Sequence, residues 1–122
     1  MPTIYKILPL SLWTEAQRAG VFRGAAIDLT DGYIHFSTAA QLAETAAKHF
    51  AGREGLLLIA VDTERLGPAL RYEPSRGGAL FPHLYAALDP QAARWIAPLQ
   101  LCADGRHALP PECRAAQPSL RA

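Results

Sequence analysis

The chain has 122 residues, half of them hydrophobic, and a formal net charge of +1, so a single domain with one buried core is expected without any need for cross-links. Lys, Arg, Asp and Glu are interspersed, which argues against the basic stripe that nucleic-acid binding requires. Cys102 and Cys113 are too few for a disulfide scaffold and their separation fits no common zinc pattern.

Thr3 to Leu8 is a short apolar run stopped by Pro9 and reads as an opening strand. Ser11 offers an N-cap, and Leu12, Trp13, Ala16 and Ala19 recur at helical spacing up to Gly20. After Val21 and Phe22 the stretch to Thr30, with Gly24, Ala25 and Ala26, has little propensity for any regular element, and a loop is expected there. Tyr33 to Ser37 alternates, with Tyr33, His35 and Ser37 on one face of a strand and Ile34 and Phe36 on the other. Thr38 and Gln41 have capping-box spacing ahead of a second helix with Leu42, Ala46 and Phe50 along its buried stripe and Gly52 at its end.

Leu56 to Val61 is continuously apolar, too short for a typical helix, and is expected to be a central strand covered on both faces. Leu70 to Glu73 alternates, with Leu70 and Tyr72 inward and Arg71 and Glu73 outward. After the Pro74 to Gly78 loop, Phe81 to Tyr85 places His83 and Tyr85 on a shared face. Asp89 and Pro90 begin a short helix, and Trp95 to Leu101 reads as a last strand bent at Pro98. The expected organisation is therefore one α+β domain over residues 1–102, a small mixed or split β-sheet flanked by two main helices. Residues 103–122 are expected to form an irregular or disordered tail. No segment approaches a membrane span and no signal-peptide pattern opens the chain, so a cytoplasmic protein without membrane partners is expected.

The residues that could carry chemistry sit on these strands. His35 can donate from one ring nitrogen and accept at the other, although hydrogen bonding that only knits strand to loop is its ordinary role. Ser37 lies where a strand runs into a helix N-terminus, a place suited to anions, while Thr38 has a capping role. Arg71 and Glu73 form either a surface ion pair or a ligand contact. In the latter reading Glu73 stabilises developing positive charge while Arg71 or Arg76 holds an anionic group. His83, fixed behind Pro82, stands beside Tyr85. No metal is expected, because His35, Glu73 and His83 lack any metal-ligand spacing. Neither cysteine has an evident activating base.

Asp31-Gly32-Tyr33-Ile34-His35-Phe36-Ser37-Thr38, the alanine-rich helix ending at Phe50, Arg71-Tyr72-Glu73 and Phe81-Pro82-His83-Leu84-Tyr85 resemble a bacterial family known as domain of unknown function 952, over roughly residues 4–99. That family is distantly similar to the ADP-ribosyltransferase superfamily, whose domains bind NAD in a cleft of a small split sheet. The resemblance implies that His35 contacts a ribose, that Ser37 positions the sugar or phosphate with Tyr33 beside them, and that His83 and Tyr85 pack against a base. It further implies NAD as substrate and cleavage of the nicotinamide–ribose bond for transfer or hydrolysis, with His35 and Glu73 as the catalytic candidates. Glu73 precedes the His83 strand and Glu112 lies beyond the last strand, so the late glutamate position of that superfamily is not matched. The alternative is a non-catalytic module that binds a small metabolite or a protein in the same cleft.

Overall fold

The computed structural model describes residues 3–114, apart from the side chains of Arg76, Glu112 and Arg114. In chain order the elements are β1 (Thr3–Pro9), α1 (Leu10–Ala19), α2 (Ala26–Asp31), β2 (Ile34–His35), α3 (Ala39–His49), β3 (Leu56–Asp62), β4 (Leu70–Pro74), β5 (Leu80–Leu84), β6 (Ala93–Leu101), β7 (His107–Ala108) and α4 (Pro111–Arg114). They form an α+β fold with two sheets, a four-stranded one of order β1-β3-β6-β7 and a three-stranded one of order β2-β5-β4. Every ladder in both is antiparallel, so of the two expected arrangements the split sheet is the one found.

The apolar run of β3 is continuous because both of its faces are covered. Leu56, Leu58 and Ala60 pack with Tyr5, Ile7, Leu42, Ala46 and Leu99 in a core beneath α3. Ile59 and Val61 point the opposite way, into a second core with Ile4, Leu8, Trp13, Phe22, Ile34, Phe36 and Leu84, shared by α1 and the small sheet. Full burial of each such side chain contributes about 1.5–3 kcal/mol. Within β1 the alternation puts Lys6 on the same side as Ile4 and Leu8, a lone ammonium facing the small sheet.

Several local expectations are corrected. The stretch expected to loop between Phe22 and Thr30 instead contains most of α2, and Phe22 just before it pairs with Leu88. The first helix begins at Leu10 rather than after a Ser11 cap, because the Leu10 amide donates to the Gly55 carbonyl at 2.8 Å and is satisfied from outside the helix. Residues 33–37 do not stay in one strand: β2 ends at His35, and Ser37 exchanges two 2.8 Å backbone bonds with Tyr5, carrying the chain from the small sheet to the large one. Tyr72, expected inward, is 44 % exposed on β4, an edge strand of the small sheet. The stretch expected to be irregular after residue 102 pairs β7 with β6 and buries Cys113 in the core under α3; residues 115–122 lie outside the described part. Among the described residues, no helix is long and apolar enough to cross a membrane.

Candidate functional site

In the small sheet Arg71 pairs with His83, and His83 with His35, so these three residues lie in one row across β4, β5 and β2. Cross-strand partners share a face, and so do residues two apart. Glu73, Phe81, Tyr85 and Tyr33 therefore belong to that same face, while Ile34, Phe36 and Leu84 occupy the opposite one and enter the core. The outer face becomes a cluster of rings. Tyr33 stacks on His83 with centroids 4.1 Å apart and lies 4.6 Å from the His35 ring and 5.1 Å from Tyr85. The two imidazoles meet edge to face at 5.5 Å, and the Arg71 guanidinium sits 5.0 Å from the Tyr85 ring.

Each histidine is anchored by a carboxylate. Asp28, 2 % exposed, receives the His35 Nδ1 proton at 2.6 Å and the His35 amide at 3.1 Å on Oδ1, and the Ala25 amide at 2.8 Å on Oδ2. Lys6 Nζ lies 3.1 Å from Asp28 Oδ2 and donates to the His35 carbonyl at 2.9 Å. Burial alone would raise the Asp28 carboxyl, but the His35 ring, the Lys6 ammonium and the Ala25 and His35 amides outweigh it and hold its pKa at about 2. Burial pushes Lys6 down, and Asp28 offsets part of that. The second ring nitrogen of His35 lies 2.9 Å from Asp31 Oδ2. Asp28 and Asp31 thus engage both ring nitrogens of His35.

Glu73 holds the other histidine. Its Oε1 accepts from His83 Nδ1 at 2.8 Å and from the Tyr85 hydroxyl at 2.7 Å. These two bonds, with Arg71 nearby, lower the Glu73 pKa, and the bond to Glu73 raises that of Tyr85. Burial, with Asp31 and Glu73 nearby, raises that of Tyr33.

His35 and His83 border a cleft of about 660 Å³ whose walls also include Asp31, Lys6, His49, Phe50, Arg53 and Phe81. Tyr33 and Tyr85 border a separate recess of about 260 Å³ with Arg23 and Leu29. Of the residues singled out from sequence, Tyr33, His35, Arg71, Glu73, His83 and Tyr85 thus converge. Ser37 lines the cleft but is buried, its hydroxyl 2.9 Å from that of Thr45 in α3. The Arg76 side chain lies outside the described residues. No group of three or more His, Cys, Asp or Glu among the described residues is arranged to hold a metal ion.

Lys6, Asp28 and Asp31 were not identifiable as site residues by motif. One signal was available: Lys6 is the sole charge in the apolar run Ile4 to Leu8, and a buried lysine needs a carboxylate partner. Gly24 supports that partner, because a Cβ there would stand 2.7 Å from Asp28 Cβ.

Residues 7–96 match the family described as "Protein of unknown function (DUF952)", and the chain belongs to that family. It is similar to CC0527 from Caulobacter crescentus. The crystal structure of that protein has a TM-score of 0.88 at 47 % identity, covering 92 % of this chain and 98 % of that one. Its solution NMR structure has a TM-score of 0.79 at 50 % identity, covering 87 % and 91 %. No curated protein matches this chain.

Proposed function

We propose that this protein binds NAD or a related nucleotide on the ring-lined face of the small sheet and cleaves its nicotinamide–ribose bond, for ADP-ribosyl transfer or hydrolysis. The observation that carries the reading is the convergence of Tyr33, His35, Glu73, His83 and Tyr85 beside a cleft of about 660 Å³, a volume suited to a ligand of nucleotide size. Two antiparallel sheets joined at Tyr5 and Ser37 support an ADP-ribosyltransferase-like arrangement, with His35 on an early strand and a serine two residues later.

The roles follow from what each group can reach. Asp31 is partly exposed, so a ribose hydroxyl can displace it from His35 Nε2. Tyr85, 41 % exposed and flanked by Arg71, offers a ring face to a base. Arg53 makes the cleft favourable to phosphate, and Ser37 lines it together with His35. Glu73, whose carboxyl is lowered by its bonds to His83 and Tyr85, places a negative charge behind the His83 ring and so favours positive charge developing in the cleft through that ring.

One observation favours the non-catalytic module instead: Glu73 Oε1 is occupied by both His83 and Tyr85, and Glu73 is not part of the cleft wall. Calorimetric titration with NAD, ADP-ribose, nicotinamide and ATP, paired with an assay for released nicotinamide, separates the two. Saturable NAD binding with release supports the enzyme, and binding without release supports the module. Absence of binding for all four contradicts the nucleotide reading.

A further inference from the structure

The two facing histidines are prepared for different proton tasks. His35 has a carboxylate at each ring nitrogen, Asp28 at 2.6 Å and Asp31 at 2.9 Å, so both of its nitrogens are already engaged. His83 has one carboxylate partner. Its Nδ1 lies 2.8 Å from Glu73 Oε1, and the tautomer that donates to that carboxylate carries its lone pair on Nε2. Tyr33 stacks on the ring at 4.1 Å and the Tyr85 hydroxyl shares Glu73 Oε1, so ring plane and tautomer are both held. His83 lines the cleft whereas Glu73 does not, so the carboxylate acts on cleft contents through the imidazole.

Resting on the cleavage reading above, we propose that His83, positioned by Glu73, is the general base that accepts the proton of an oxygen acceptor, either water or an alcohol. The glycosidic C–N bond breaks with its electron pair going to nicotinamide, which leaves as a neutral molecule. The acceptor oxygen forms the new bond to the ribose carbon, and its proton passes to His83 Nε2. Water yields ADP-ribose, and an alcohol yields an O-glycoside of ADP-ribose. A carboxylate acceptor would need no base. A guanidinium acceptor would be repelled by Arg53 in a cleft whose carboxylate, Asp31, is already bonded to His35.

The test follows nicotinamide release across pH for the wild type, His83→Gln and Glu73→Gln, with NAD affinity measured separately by calorimetry. General-base catalysis is worth about 10²- to 10⁴-fold, so His83→Gln lowers kcat by that factor with NAD affinity retained. Glu73 is partly exposed, so Glu73→Gln folds even if the His83 variant does not. Its loss of negative charge moves the acid limb of the kcat profile to lower pH, a displacement that a purely structural role would not produce. Adding methanol separates the two oxygen sources, since a methyl ADP-riboside forms if alcohols are admitted and ADP-ribose alone forms if water is the acceptor. Release that is undiminished in folded His83→Gln, an unmoved limb in Glu73→Gln, or preferential transfer to agmatine overturns the proposal and leaves cleavage standing. NAD binding without release overturns it together with cleavage, leaving nucleotide binding intact.

Discussion

His35 and His83 are register partners on β2 and β5 with ring centroids 5.5 Å apart, and each has its Nδ1 held by a different carboxylate, Asp28 for one and Glu73 for the other. The first carboxylate is buried among four donor groups and tied to Lys6, while the second is at the rim. The two therefore differ in what their removal does to the fold.

Asp28→Asn leaves the Lys6 ammonium buried without its counter-charge. Breaking one side of a buried pair costs about 3–5 kcal/mol, and urea unfolding is expected to show a loss of that order. Replacing both charges with apolar residues, Lys6→Met with Asp28→Leu, recovers part of it. A double variant less stable than either single one would contradict this account of the pair.

Acid sensitivity follows from the same carboxyl. Its folded pKa of about 2 lies below the ordinary aspartate value of 3.8, so its contribution is fully present above that higher value and is lost as pH falls through the lower one. The shift corresponds to about 2 kcal/mol. Unfolding free energy is expected to decline between about pH 4 and pH 2 in the wild type. The decline should be shallower in Asp28→Asn, and equal slopes would show that Asp28 is not the group responsible.

Gly24 has a φ of +129° and no room for a Cβ beside Asp28. Gly24→Ala is expected to cost about 1–3 kcal/mol and to disturb the Asp28 bonds, which nuclear magnetic resonance would register as a displaced His35 amide signal. Wild-type stability with an unmoved amide would contradict the close approach.

Much of the small sheet was legible in the sequence because a two-residue period exposes itself in Tyr33-Ile34-His35 and in Phe81-Pro82-His83-Leu84-Tyr85. The meeting of those faces was not, since the register of His35 on His83 and of Arg71 on His83 is set by tertiary packing. Helix α2 was missed for a related reason. Six residues are too few to display a helical period, and this helix is held by the bonds Asp28 makes to Lys6, Ala25 and His35. β3 was legible since burial on both faces leaves a purely apolar run, whereas Cys113 and β7 gain their places from contacts that no local pattern encodes.

Tyr85 reports on the second carboxylate. Its phenol is raised chiefly by donating to Glu73, so in Glu73→Gln the ring should ionise at lower pH, followed through its ring-carbon chemical shifts. An unchanged titration would mean that the hydrogen bond is not formed in solution.

The central claim, a nucleotide held on the histidine face of the small sheet, is tested most directly by thermal unfolding of the wild type and His35→Ala with NAD, ADP-ribose, nicotinamide and ATP. Ligand at one hundred times its dissociation constant adds about 2.7 kcal/mol, which moves the midpoint of a domain this size by several degrees. The expected result is a rise with NAD or ADP-ribose in the wild type that is absent in His35→Ala. No rise with any nucleotide at millimolar concentration, or the same rise in both proteins, would contradict it.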